Sequence, residues 1–259
     1  MGTAAIQGAV WGARARDWAD LNEPAWRLVF QTALTKAGVG SGTRLLDIGC
    51  GAGGALALAR QLGAEISGLD ASENLIAIAR QRLPGARLEL GEMEELPFED
   101  SAFDVVTAIN SLQFAGDPIR VLSEARRVLR TGGTGFALVW GRREDCELIA
   151  GTASAVFALV PPNPEAPAPL SWSEAGTVEG LMRQAGFRPK NAGDFPGALI
   201  MPDADTAVRA VLSASARVIQ HAGESAAADA IRRTLPKFTQ ADGSVVWNNR
   251  FRWVSAVRD

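Results

Sequence analysis

Residues 45–54 read Leu45-Leu46-Asp47-Ile48-Gly49-Cys50-Gly51-Ala52-Gly53-Gly54. An apolar lead followed by closely spaced glycines predicts a buried strand, Arg44 to Gly49, turning sharply into a helix over Ala55 to Leu62. Taken literally, Gly49, Gly51 and Gly54 satisfy G-x-G-x-x-G, and Asp70 stands 21 residues after Gly49. That spacing places a carboxylate at the end of a second strand, Ile66 to Asp70, where it meets a ribose diol. Asp70 as a plain strand-end helix cap is the competing reading. A P-loop is excluded, because no Gly-Lys-Ser/Thr follows the glycines.

Outward from this turn, strand and helix patterns alternate. Ser72 N-caps a helix whose Leu75, Ile76, Ala79 and Leu83 keep a 3.6 period, and Pro84-Gly85 stops it. Arg87 to Gly91 and Phe103 to Ser111 read as strands. Asp117 caps a helix with Pro118 at its first position, apolar at Ile119, Leu122, Ala125 and Leu129 and ended by Gly132-Gly133. Gly135 to Trp140 is the next strand. The pattern predicts an α/β fold with a doubly wound, mostly parallel sheet. Beyond it we expect a helix over 145–159, a proline-rich connector over 161–169, a helix near 173–185 and a strand from Phe187. Helices over 205–221 and 224–235 and a last strand from Val246 to Arg258 complete seven strands. In that strand Trp247, Phe251, Trp253 and Val257 alternate with Asn248, Arg250 and Arg252. No linker separates the halves, so 1–259 reads as one domain.

The 259 residues carry a net charge of −3, with 47% hydrophobic and 21% charged side chains, which excludes a disordered chain. This near-balance lacks the basic footprint of a nucleic-acid binder. No positive start precedes an apolar run, and no apolar stretch reaches the ~20 residues that span a bilayer. Two cysteines and one histidine make neither a disulfide framework nor a zinc site, so no metal is expected. The chain reads as a cytoplasmic protein.

Asp47, two residues before the first glycine, separates two readings. A carboxylate there repels a pyrophosphate and attracts a cation. The run Asp47 to Gly53 resembles the first motif of the class I S-adenosylmethionine-dependent methyltransferases. Gly68-Leu69-Asp70-Ala71-Ser72 resembles the family's second motif, and Gly91-Glu92-Met93-Glu94-Glu95-Leu96-Pro97-Phe98 its third. Phe103 to Val106 with Asn110 to Gln113 looks like its fourth strand and turn. Arg127 to Gly133 is similar to the approach to its fifth strand, with Thr131 in place of the usual proline. Trp11 to Trp18 also resembles the start of members that act on small molecules. The resemblance covers roughly residues 11–141.

It implies S-adenosylmethionine as cofactor, a Rossmann-like methyltransferase fold and a cofactor-binding core at about 40–141. The implied cofactor contacts are Asp47, Gly49, Gly51, Asp70, Ala71, Glu92, Met93 and Asn110. For Glu92 within its acidic cluster, simple solvation is the competing reading; for Met93 it is core packing. In-line methyl transfer asks for alignment and water exclusion, so a lid is expected from residues 1–30 and the helices at about 203–235. Trp11, Trp18, Trp140 and Trp172 are candidates for an apolar acceptor pocket or for packing; Arg16 and Trp18 are also considered at the cofactor. No catalytic residue is assigned. The candidate bases are His221, which equally suits a helix end, and Glu144 and Asp145 after the fifth strand. Asn110-Ser111-Leu112-Gln113 differs from the Asn/Asp-Pro-Pro-aromatic run of base amino-group methylases. By elimination a small, fairly apolar acceptor remains, as in secondary metabolism, with neither nucleic acid nor membrane as partner. Two alternatives stay open: a binder of S-adenosylmethionine that transfers no methyl, cyclase-like or regulatory, and an NAD-dependent oxidoreductase. Asp47 and the absence of tyrosine count against the last.

Overall fold

The computed structural model describes residues 2–161 and 172–259. Its strands are β1 (Arg44–Ile48), β2 (Glu65–Asp70), β3 (Arg87–Leu90), β4 (Phe103–Ile109), β5 (Leu129–Trp140), β6 (Arg188–Pro196), β7 (Leu199–Met201), β8 (Val245–Trp247) and β9 (Arg250–Val257). Seven form one sheet in the order β3-β2-β1-β4-β5-β9-β6, while β7 and β8 pair separately. Only β9 runs against its neighbours in the large sheet. This is the doubly wound, mostly parallel α/β sheet that the sequence predicts.

Ahead of β1 lie α1 (Ala4–Gly12), α2 (Ala15–Asp17), a π-helical turn over Trp18–Asn22, α3 (Glu23–Ala25) and α4 (Arg27–Ala37). The crossovers of the parallel half are α5 (Gly54–Gln61), α6 (Glu73–Arg82) and α7 (Pro118–Val128). Then come α8 (Ser154–Phe157), α9 (Thr177–Gln184), α10 (Ala204–Ser213), α11 (Ala216–Ala222) and α12 (Glu224–Thr234). Strands buried on both faces need apolar side chains in both directions. Leu45, Val105 and Ile109 accordingly point into one core layer, and Leu46, Ile48, Val106 and Ala108 into the other. The expected caps are present: Ser72 Oγ accepts from the Leu75 amide at 3.3 Å, and Asp117 Oδ1 from those of Ile119 and Arg120.

Several boundaries move, each for a long-range reason. β5 begins at Leu129, so Gly132-Gly133 lies inside the strand, where the register with β4 shifts, and does not end the helix. The helix stops at Val128 because Arg258 donates to the carbonyls of Arg126, Arg127 and Leu129. The expected last strand splits into β8 and β9. Asn249 is buried between them, with Oδ1 accepting from the Leu148 amide and Nδ2 donating to the Trp247 carbonyl. Arg252, placed outward by alternation, is buried against Glu179 at 2.7 Å and Asp194 at 3.4 Å. The helix expected over 205–221 breaks after Ser213, where Ser213 and Ser215 hydroxyls donate to the carbonyls of Ala210 and Val211. The segment expected as one helix over 145–159 is a 3-10 turn, a π-helical stretch and α8. The proline-rich connector, past Pro161, lies outside the described residues. Among the described residues no helix is long and apolar enough to cross a membrane.

Candidate active site

The chain leaves β1 for β2 and β3 on one side of the sheet and returns to β4 on the other. Their carboxyl ends therefore diverge and open a crevice at the point where the winding reverses. A cavity of about 900 Å³, mouth included, lies there. All eight positions proposed from sequence line it: Asp47, Gly49, Gly51, Asp70, Ala71, Glu92, Met93 and Asn110.

The turn after β1 is shaped by what crowds it. Gly49 has φ +75, and a Cβ there would stand 2.4 Å from the Cβ of Ser111, whose hydroxyl donates to the Ile48 carbonyl at 2.5 Å. Only glycine fits that combination. Asp70 closes the turn from β2, accepting from the Gly51 amide through Oδ2 and from the Ser72 amide through Oδ1, both at 2.8 Å. Burial raises its pKa, against the pull of the amides of Ser72, Gly51 and Ala71. Asp70 is thus a clamp on the turn that also lines the cavity, while the helix cap is Ser72.

Asp47, buried at the end of β1, accepts from the Thr107 hydroxyl at 2.7 Å. Burial pushes its carboxyl up to about 7; Thr107 opposes this, and the charges of Asp70 and Glu23 add to it. Asn110, at φ +56, has Oδ1 taken by the Gln113 side chain at 2.7 Å, which leaves its Nδ2 uncommitted beside the cavity. Cys50 lines the cavity, but burial and then Asp70, Asp47 and Glu23 hold its thiol well above the usual range, so it stays protonated.

Glu92 and Glu94 take different parts. Glu92 Oε2 accepts from the Ala4 amide at 2.9 Å, tying the start of α1 over the cavity. Glu94, read as part of a solvated cluster, is buried and holds the amides of Gly116 at 2.7 Å and Asp117 at 3.1 Å. Burial and Glu94 raise the pKa of Glu92. Against its own burial, Glu94 is held low by Glu92 and by those two amides.

The other side of the cavity comes from the N-terminal helices, through Thr3, Ala4, Gln7, Trp11, Trp18 and Glu23. Helix α1 reaches the turn after β2 through Gly8, where a Cβ would lie 2.3 Å from the Ala71 carbonyl oxygen. Glu23, with no counterpart among the sequence-derived site residues, accepts from the Ala52 amide at 2.9 Å and from Arg82 at 2.5 Å. Burial pushes it up to about 7 against Arg82 and the amides of Gly54 and Ala52. Ser111, in the turn expected from the resemblance, also lines the cavity, as do Trp26, Phe30 and Phe114, which were not singled out. Their signal is tertiary, since each sits in an ordinary apolar or turn pattern.

Other candidates fall elsewhere. His221 is exposed at the end of α11, and Glu144 and Asp145 are exposed on the turn after β5; none lines the cavity. Arg16 is exposed. Trp140 packs behind Trp26, ring centroids 5.2 Å apart, and Trp172 packs against the other core layer. The helices over 204–234 contribute no lining residue. They brace the N-terminal cap, with Asn22 donating to the Ala210 carbonyl and Ser213 Oγ, Arg209 paired to Asp17, and Glu224 to Arg14.

Residues 46–137 match a protein family described as "Methyltransferase domain". A demethylmenaquinone methyltransferase of Staphylococcus aureus is 36% identical over 114 residues, 42% of this chain and 46% of its own. The chain spans less than half the length of the curated relatives it matches, 28% and 46% of the first two. Among solved structures, a chain of a Haloferax volcanii complex containing the Trm112 methyltransferase activator aligns with TM-score 0.59 and 21% identity, over 96% of both chains. The geranyl diphosphate C-methyltransferase of Streptomyces coelicolor, solved with S-adenosyl-L-homocysteine, aligns with TM-score 0.53 and 17% identity, over 90% of this chain and 79% of its own. At these identities the likeness is one of fold.

Proposed function

We propose that this chain, whose residues 46–137 match a methyltransferase domain, is a class I S-adenosylmethionine-dependent methyltransferase that methylates a small, fairly apolar molecule. One observation carries the reading. Asp47, Glu23, Asp70 and Glu92 line one cavity, and among the described residues its lining includes no lysine, arginine or histidine. A dinucleotide would bring a pyrophosphate against four carboxyl groups, whereas a sulfonium and an ammonium are drawn to them. The residues present therefore fit S-adenosylmethionine. Asp70 receives the ribose hydroxyls, Asp47 lies toward the cationic end, and Asn110 Nδ2 is left to hold the carboxylate. Gly91, Glu92 and Met93 border the adenine end.

The bound cofactor supplies a methyl group on positively charged sulfur. The chain's part is to hold the acceptor in line and keep water away, which is worth effective molarities of roughly 10⁵–10⁸ M. Of the candidate bases, His221, Glu144 and Asp145 lie outside the cavity.

Isothermal titration with S-adenosylmethionine, S-adenosylhomocysteine and NAD in parallel tests the reading. Binding of the first two without NAD is expected, and binding of NAD alone overturns it. Binding of S-adenosylmethionine with no S-adenosylhomocysteine formed in the presence of small acceptors would instead favour a protein that transfers no methyl.

A further inference from the structure

Five aromatic residues of the cavity lining, Trp11, Trp18, Trp26, Phe30 and Phe114, are left over once the cofactor contacts are assigned. They form two groups. Trp11 stands edge-on to Trp18, with centroids 5.0 Å apart, and to Phe114 at 5.3 Å. Trp26 lies 6.0 Å from Phe30 and is held from behind by Trp140 and Phe251. Such rings are costly to move, because each is fixed by edge contacts with the next.

Two of the polar groups on this side are already engaged. Glu23 uses both oxygens on Ala52 and Arg82, and the Thr3 hydroxyl donates to the Phe114 carbonyl at 2.8 Å. The side-chain amide of Gln7 makes no hydrogen bond among the described residues, and it is neutral. The carboxyl groups of Asp47, Asp70 and Glu92 share the same space with no cation among the described lining residues, while Glu23 is paired with Arg82 behind it.

We infer that the methyl acceptor is a flat aromatic ring compound carrying no phosphate, sulfate or carboxylate, seated between these two aromatic groups with its polar substituent on Gln7. The inference rests on the methyl-transfer reading and narrows its acceptor. Fixed ring faces reward a flat partner over a puckered one of equal volume. An anionic substituent meets the like charge of Asp47, Asp70 and Glu92 in a partly desolvated cavity. The surrounding acids tolerate a neutral hydroxyl or amine and reject the anionic analogue.

The test titrates 2-naphthol, naphthalene-2-carboxylate and decahydro-2-naphthol into the full chain loaded with S-adenosylhomocysteine, whose own binding is measured first. Expected is measurable binding of 2-naphthol, with the carboxylate weaker by about 30-fold and the saturated alcohol by about tenfold. Trp11→Leu should weaken 2-naphthol by about tenfold and Gln7→Leu by about threefold. Equal or tighter binding of the carboxylate, parity of the saturated alcohol, or no binding of 2-naphthol overturns the inference while the cofactor reading stands. Failure of S-adenosylhomocysteine to bind overturns both.

Discussion

The two walls of the cavity are made by opposite means. The cradle, from the ends of β1, β2 and β4, is backbone and carboxylate: Gly49, Gly51, Asp47 and Asp70 come from two short strand–turn stretches. The cap is side chain and aromatic, assembled from α1, the π-helical turn and α4, and braced by α10, α11 and α12. Atoms fixed by the peptide chain itself suit an invariant ligand. Rings on helices change with single substitutions, and so suit the partner that varies.

If that division is right, cradle and cap variants should fail differently. The largest effect belongs to Gly49→Ala, which combines φ +75 with a 2.4 Å overlap on Ser111. It should lower unfolding free energy by about 2–4 kcal/mol, read from urea denaturation, and abolish cofactor binding. Stability within about 0.5 kcal/mol of the parent would remove the turn from its central place.

Asp70→Ala comes next. It frees the Gly51 and Ser72 amides and deletes the ribose acceptor, so calorimetry should find S-adenosylmethionine weakened by about 1.5–3 kcal/mol. Unchanged affinity would take Asp70 out of the site.

The third is pH dependence. Asp47 and Glu23 are both pushed up to about 7, so the empty cavity holds protons that a cationic ligand must expel. Affinity for S-adenosylmethionine should therefore rise as pH climbs from 6 through 7, by up to about tenfold per unit for each proton released. Calorimetry in buffers of different ionisation enthalpy should register that release. A flat profile would mean that the acids stay ionised when the site is empty.

The smallest effect is placed in the cap. Asn22 is buried and donates to Ala210 and Ser213, 188 and 191 residues away. Asn22→Ala should cost about 1–2 kcal/mol of stability and leave cofactor affinity within about twofold. A larger loss of cofactor affinity would show the two walls to be one unit.

The cradle was legible because its parts are local. A strand, a glycine turn and a strand-end acid lie close in sequence, so spacing alone brought Asp47, Gly49, Gly51 and Asp70 to one crevice. The cap was legible only as a tendency to cover. Glu23 looks like a surface acid before Pro24, and its burial is decided by Arg82, 59 positions on. Phe30 and Trp26 resemble any core face until α4 is set against the sheet. The break between β8 and β9 likewise depends on Asn249 meeting Leu148.

The ties between Asn22 and Ala210, Asp17 and Arg209, and Arg14 and Glu224 bear on how the protein is made. Synthesis runs from the amino end, at roughly 5–20 residues per second. The helices carrying Trp11 and Trp18 thus leave the ribosome well before the segments that brace them. The cradle strands are complete while those indoles still lack that support. For an interval on the order of ten seconds the nascent chain is a finished floor under an open roof, and that interval is when chaperones have most to protect.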